Sequence, residues 1–362
     1  MLQPDFVFRG HHAAVNSVCF FGDDRYLVSA DQDGHLIVWN MMLKRQLAKQ
    51  SKAHSAPILS VCGLGSNTVV SQGRDNKLNI WSLSAGEFSG DLALVNSLPA
   101  DSMTFCKFSH LRHLDTLWIA FLESAGAGDL CLYSVSTGVQ HKLSIGRKSN
   151  TKAGIREDPP MCIRLAATGE ESRLVLFVGY ESTVLQQFDI VPSAEGGAMT
   201  AVVARSVTTA HSEPIMSLDY DCQRRLVYTC AADNRVCCYT EDGSTFKEHV
   251  HLAELQNAGC AEIRCYPELA LVAVAGWDYA VHLFDSSLKP VSNIAFHRSA
   301  LTSIDVSLQS SAGAEDVSSD FVRQRWSSRC RWLVAASRDS RISLWDVGRL
   351  APSPAAASAE DE

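Results

Sequence analysis

The chain contains no run of about 18 apolar residues, the length that a membrane-spanning helix needs, so no membrane partner is expected. Its opening residues include Asp5 and Arg9 and no extended apolar stretch, so no secretory leader is expected either. Basic residues are not in surplus: 32 Lys and Arg against 40 Asp and Glu leave a formal charge of −8, which argues against direct nucleic-acid binding. No Cys-x-x-Cys pair occurs among the 12 cysteines, and a structural zinc site needs clustered ligands of that kind. Cys237 and Cys238 are adjacent, so on a strand they face opposite ways, and His249 and His251 have no ligand pair at a useful spacing. Disulfide frameworks belong to small secreted chains. Buried, reduced thiols in a nuclear and cytoplasmic protein are therefore the expectation, with no metal and no cofactor. A Gly-rich phosphate loop ending in Lys-Ser/Thr and a Gly-x-Ser-x-Gly elbow are both absent, so no catalytic residue is assigned and no enzyme is expected.

What is present is a repeat. Seven apolar runs end in an aromatic residue: Trp39, Trp81, Tyr133, Phe188, Tyr239, Phe284 and Trp345. In five of them an Asp stands six positions earlier: Asp33, Asp75, Asp233, Asp278 and Asp339. The first unit reads as three strands. Val15, Val18 and Phe20 alternate, Gly22-Asp23-Asp24 turns, Tyr26 to Ser29 follows, Asp33-Gly34 turns again, and Leu36 to Trp39 closes. Period-2 apolar patterning between Gly and Asp turns is a strand signature.

The repeat resembles the WD40 propeller blade. That resemblance implies an all-β, seven-bladed propeller, and within each blade a set of mutually satisfied polar groups. The turn Asp accepts from a His, the His meets a Ser or Thr hydroxyl on the second strand, and the hydroxyl meets the Trp indole. The first blade offers His11, Ser29, Asp33 and Trp39, and the second His54, Ser71, Asp75 and Trp81. The fifth offers His211, Thr229 and Asp233, with Tyr239 in place of Trp. The seventh offers His297, Asp339 and Trp345, with Ala335 where the hydroxyl belongs; the sixth keeps only Asp278. In the third and fourth, Ala127 and Ser182 replace Asp, and packing alone is expected to hold those blades.

The propeller is expected to span 1–349, with Asp5 to Arg9 supplying the outer strand of the last blade and Phe6 and Phe8 lying against Ile342–Trp345. Closure of that kind removes exposed sheet edges. Two long connections interrupt the repeat: a basic one over 142–160, carrying Arg147, Lys148, Lys152 and Arg156, and a Ser-rich, charged insertion over 308–331. Residues 350–362, rich in Pro, Ala and Ser and ending in acidic residues, are expected to form a disordered acidic tail.

The strings Ala275-Gly276-Trp277-Asp278 and Ala336-Ser337-Arg338-Asp339-Ser340-Arg341-Ile342-Ser343-Leu344-Trp345 narrow the resemblance further. With Ser71 to Trp81 and His211 to Ile215, they are similar to the family of the ASTRA-associated WD-repeat subunit and the guanine-nucleotide-binding-protein beta-subunit-like protein. The resemblance implies a non-catalytic scaffold. It would act with the TTT co-chaperone complex and the Hsp90 system in maturing phosphatidylinositol-3-kinase-related kinases, and in the ASTRA assembly in chromatin regulation. Only nine residues precede Gly10, too few for the coiled-coil helix by which a true beta subunit holds gamma, so no G-protein gamma subunit is expected. The alternative is a substrate receptor of a cullin ubiquitin ligase. That class carries Trp-Asp-x-Arg, whereas here Trp345-Asp346 is followed by Val347, Gly348 and Arg349.

Propellers of this kind take peptides on the narrow face beside the channel, where the turn Asp lies. The residues before that Asp in blades six, seven, one and two are Trp277, Arg338, Gln32 and Arg74, and ring closure makes those blades neighbours. A Trp beside two Arg has the composition of an interface hot spot, and guanidinium groups suit an acidic peptide. These four are the candidate partner-binding residues.

Overall fold

Each apolar run becomes a strand whose side chains alternate between two interfaces, one with the preceding blade and one with the following blade. The computed structural model describes residues 2–86, 89–124, 128–151, 154–168, 173–193, 198–242, 245–248, 253–307 and 331–350. Among the described residues, seven antiparallel sheets of four or five strands follow one another in chain order, with one two-stranded hairpin besides; the fifth sheet gains a short extra strand, Ala253–Glu254. Their inner strands are Val15–Phe21, Ile58–Leu64, Ser109–His113, Pro160–Thr168, Ile215–Asp221, Cys260–Tyr266 and Leu301–Val306, and all seven line a central channel. Among the described residues the only helices are two 3-10 turns, and none is long and apolar enough to cross a membrane.

The ring closes as the sequence suggests. Phe6–Phe8 pairs antiparallel with Ile342–Asp346, Phe6 opposite Leu344 and Phe8 opposite Ile342. Asp5 clamps the junction, donating its N–H to the Leu344 carbonyl and accepting from the Asp346 N–H. The apolar core is divided among seven clusters, one at each contact between neighbouring blades. Cys237 faces the cluster between blades four and five, and Cys238 the one between five and six, as their alternation requires.

The polar sets form, with corrections. Blade two is as expected: His54 lies 2.8 Å from Asp75 and 2.8 Å from the Ser71 hydroxyl, to which the Trp81 indole donates at 2.9 Å. In blade one the carboxylate is Asp31 and not Asp33. Asp31 stands 2.6 Å from His11 and is fully buried, whereas Asp33 is exposed and only donates its backbone N–H to Asp31. The reason lies two residues earlier. Blade two has Gly73 there, and a Cβ on Gly73 would fall 2.2 Å from the His54 ring, inside the space of the His–Asp pair. Blade one puts Asp31 at that position, so its own carboxylate fills the space. The rest of the blade-one set stands: His11 to Ser29 at 2.7 Å and Trp39 to Ser29 at 2.8 Å.

Blade five is complete, with His211 bonded to Asp233 and Thr229 and the Tyr239 hydroxyl accepting from the Ala210 N–H. In blade seven the hydroxyl missing at Ala335 is supplied by Ser343, its partner directly across the ladder; Ser343 meets both His297 and the Trp345 indole at 2.8 Å. His297 also reaches Asp339 at 3.0 Å. Asp278 of blade six pairs with His282 on the next strand at 3.0 Å. Blade four does not rest on packing alone, because the Ser182 N–H and hydroxyl both donate to buried Asp158. Ala127 of blade three lies outside the described residues.

The 142–160 connection contains a two-stranded hairpin, Arg147–Thr151 with Gly154–Asp158, rather than a loop. Its basic residues are partly neutralised within it, Arg147 by Asp158 and Lys148 by Glu157. Lys152, His249, His251, nearly all of the 308–331 insertion and the tail from 351 onward lie outside the described residues.

These assignments separate two aspartates only two positions apart. Burial pushes the Asp31 carboxyl up, but bonds from His11 and the His35 N–H outweigh it and hold the group at about 2. The stability it contributes is therefore present above pH ~4 and is lost as the pH falls from there through about 2. Asp31→Ala is expected to cost about 2–3 kcal/mol, because it leaves the buried Nδ1 of His11 and two turn N–H groups unpaired, while Asp33→Ala stays within ~0.5 kcal/mol. Urea unfolding of the two variants at neutral pH checks the pair.

Candidate protein-docking site

The site is assembled by one backbone bond repeated around the ring. In each contributing blade, the residue before the turn donates its N–H to the carbonyl just ahead of the inner strand. Gln32 bonds Ala14, Arg74 bonds Pro57, Trp277 bonds Gly259 and Arg338 bonds Ala300, at 2.8 to 3.0 Å. The polar sets stiffen the same turns: Asp339 also accepts from the Arg298 and Arg341 N–H groups, and Asp75 from that of Ser55. All four side chains named from the sequence consequently border one concavity of about 410 Å³ at the channel mouth. Blades four and five place Glu181 and Ala232 at the equivalent position, and neither borders that concavity.

A second ring of lining residues was not legible in the sequence. The inner strands of blades one, two, five, six and seven shift register after their first residue, so that Asn16, Leu59, Met216, Ala261 and Thr302 are bulged out of the ladder. All five border the mouth and are partly exposed. A bulge redirects a side chain that regular alternation would bury. Phe105 and Lys107 enter from the segment leading into blade three.

The polar detail is uneven. The Arg74 guanidinium donates to the Ser102 carbonyl at 2.7 Å and lies 5.1 Å from the Phe105 ring centre, so it is held in place under an exposed aromatic. Gln32 accepts from Asn16, which itself donates to the Ile58 carbonyl. Trp277 keeps 39% of its surface exposed. Its indole lies against Gly259, whose φ of +100° and lack of a side chain are both required: a Cβ there would sit 1.9 Å from the ring. Arg338 is exposed, and among the described residues no carboxylate pairs with its guanidinium. Of the described residues lining the mouth, three are cationic and none is acidic, in a chain of net charge −8.

Below the mouth lies a cavity of about 480 Å³, and several of the charges that line it pair with one another. Glu262 holds Arg264 at 2.6 Å and Lys107 at 3.4 Å, and Asp219 holds Arg164 at 2.8 Å. Asp305 accepts the Phe20 N–H, and burial pushes its carboxyl up to about 7. Among the described residues, no group of three or more His, Cys, Asp or Glu side chains is arranged to hold a metal ion.

Comparison with known proteins agrees with this architecture. The family model described as WD domain, G-beta repeat matches residues 2–40, 204–240 and 315–346. The chain is a seven-bladed β-propeller with WD40 repeats in three of its segments. This propeller is 26% identical over 351 residues to guanine nucleotide-binding protein subunit beta-like protein 1 of Mus musculus, covering 95% of this chain and 96% of that protein. It is 25% identical over 385 residues to ASTRA-associated protein 1 of Verticillium alfalfae, covering 95% and 93%. Against the protein of that name in Aspergillus flavus it is 23% identical over 431 residues, covering 95% and 97%. Likeness at this level spans the whole propeller, and with the repeats it supports a scaffold or adaptor.

Proposed function

We propose that this WD40 propeller is a non-catalytic adaptor that docks an acidic, aromatic- or aliphatic-anchored segment of a partner protein at the channel mouth. The observation that carries the reading is the composition of that mouth. Exposed Trp277 and Phe105 stand among Arg74, Arg338 and Lys107 with no carboxylate in the lining. Apolar surface that is partly open to water gains from being covered, and unpaired guanidinium groups gain from a carboxylate. Aromatic and Arg side chains are also the residues that dominate interface energetics.

The partners we assign follow the relatives that bear the ASTRA name: an ASTRA-type complex, and with it a TTT and Hsp90-type assembly acting on phosphatidylinositol-3-kinase-related kinases. Nucleus and cytoplasm are the compartments this role requires. Affinity purification of the full chain from its own cells, followed by mass spectrometry, tests the assignment. Co-chaperone and ASTRA-type subunits are the expected main partners. A cullin and its linker protein in their place would overturn the reading in favour of a ubiquitin-ligase receptor.

A further inference from the structure

Two inner strands carry the same tripeptide, Ser17-Val18-Cys19 in blade one and Ser60-Val61-Cys62 in blade two. The repeat places them side by side. The Ser17 hydroxyl accepts the Val61 N–H at 3.1 Å, and at the ends of the two tripeptides the Cys19 and Cys62 sulfurs lie 3.0 Å apart. The matching positions in blades five, six and seven are Asp219, Arg264 and Asp305, so the thiols occupy a ring that otherwise carries charge into the channel. Both sulfur-bearing residues line that channel, and Cys19 is only partly buried. His110 of blade three brings its Nε2 to 3.6 Å from the Cys62 sulfur.

We propose that Cys19 and Cys62 are a reversible oxidation site, a dithiol that hydrogen peroxide converts to a disulfide joining the inner walls of blades one and two. Cys62 is the attacking sulfur. The hydrogen bond from Cys19 favours its thiolate against the cost of burial, and His110 and Arg264 act in the same direction. Cys19, which donates that bond and faces Asp305, keeps its proton. The Cys62 thiolate attacks one peroxide oxygen; the O–O bond breaks, a sulfenic acid forms, and the departing hydroxide takes up a proton as water. The Cys19 sulfur then attacks the Cys62 sulfur, the S–O bond breaks, and the hydroxyl leaves with the Cys19 proton as a second water. Two thiols lose two electrons to one peroxide. The new bond lies on the same inner strands that carry the bulged mouth residues Asn16 and Leu59. Because it depends on the inner-strand geometry and on none of the four turn residues, it can fail without affecting the docking proposal.

The test uses the reduced full chain. After hydrogen peroxide treatment, free thiols are blocked and the protein is digested and mapped by mass spectrometry without reduction. The expected result is a peptide linked through Cys19 and Cys62 as the main form of both residues, lost on treatment with dithiothreitol. In Cys19→Ser, which lacks the resolving sulfur, Cys62 is expected to accumulate as sulfinic acid. Recovery of both wild-type residues as free thiols, or as separately oxidised side chains with no linked peptide, would overturn the proposal. The wild-type map decides this by itself, whether or not the variant folds.

Discussion

Phe8→Ala is expected to lower the free energy of unfolding by about 3–5 kcal/mol, the range for emptying a buried aromatic site. Phe8 keeps 1% of its surface exposed and belongs to the cluster that joins the last blade to the first, with its ring centre 5.2 Å from that of Trp39. Only three residues, Phe6–Phe8, complete the last blade, so few other contacts can compensate. Loss of this anchor weakens the one sheet built from both ends of the chain, and detachment would bare the Ile342–Asp346 edge. Urea unfolding followed by tryptophan fluorescence measures the change. A loss below ~1 kcal/mol, the size of a surface substitution, would show that the N-terminal strand does not hold the ring shut.

The double variant Trp277→Ala with Arg338→Glu is expected to weaken binding of the principal co-purifying protein by about 100- to 1,000-fold. Removing a hot-spot Trp costs about 2 kcal/mol or more, reversing a paired charge adds a comparable amount, and each 1.4 kcal/mol is tenfold. Both side chains are exposed and neither belongs to a polar set, so the fold should survive. The wild-type interaction should also weaken as salt rises, because the mouth presents the Arg74 and Arg338 guanidinium groups to an acidic partner. Titration calorimetry of both chains at two ionic strengths reads both effects. Unchanged affinity in a folded double variant would rule out the mouth as the docking site.

The parts of the molecule that repeat were legible, and the parts that depart from the repeat were not. Trp39, Trp81 and Trp345 could be found because each ends a strand and closes a buried polar set, which constrains both residue type and spacing. The same spacing rule chose Asp33 wrongly. Asp31 and Asp33 are chemically identical, and only the space that Gly73 leaves in the neighbouring blade shows which position reaches the His. Ser343 was missed because a hydroxyl directly across the ladder reaches the same point as one at position 335, and a search along one strand cannot see it. Of the mouth, Gln32, Arg74, Trp277 and Arg338 were found because they sit at a fixed offset from the turn. Asn16 and Met216 were hidden, since a bulge is set by backbone register and leaves no residue-type signature. The Cys19–Cys62 contact had a signal after all, in the tripeptide shared by two blades, but it acquires meaning only once those blades are neighbours.

Contact mapping shows whether partners dock at the mouth. A photo-reactive benzoylphenylalanine is placed at position 338 in one chain. In another it replaces Leu114, an exposed residue in the hairpin turn at the far end of the blade-three inner strand, away from the mouth. Irradiation of the purified complex should cross-link the partner from position 338 and leave position 114 unreacted. Cross-linking from position 114 with none from 338 would contradict the account and place the partner on the opposite face of the propeller.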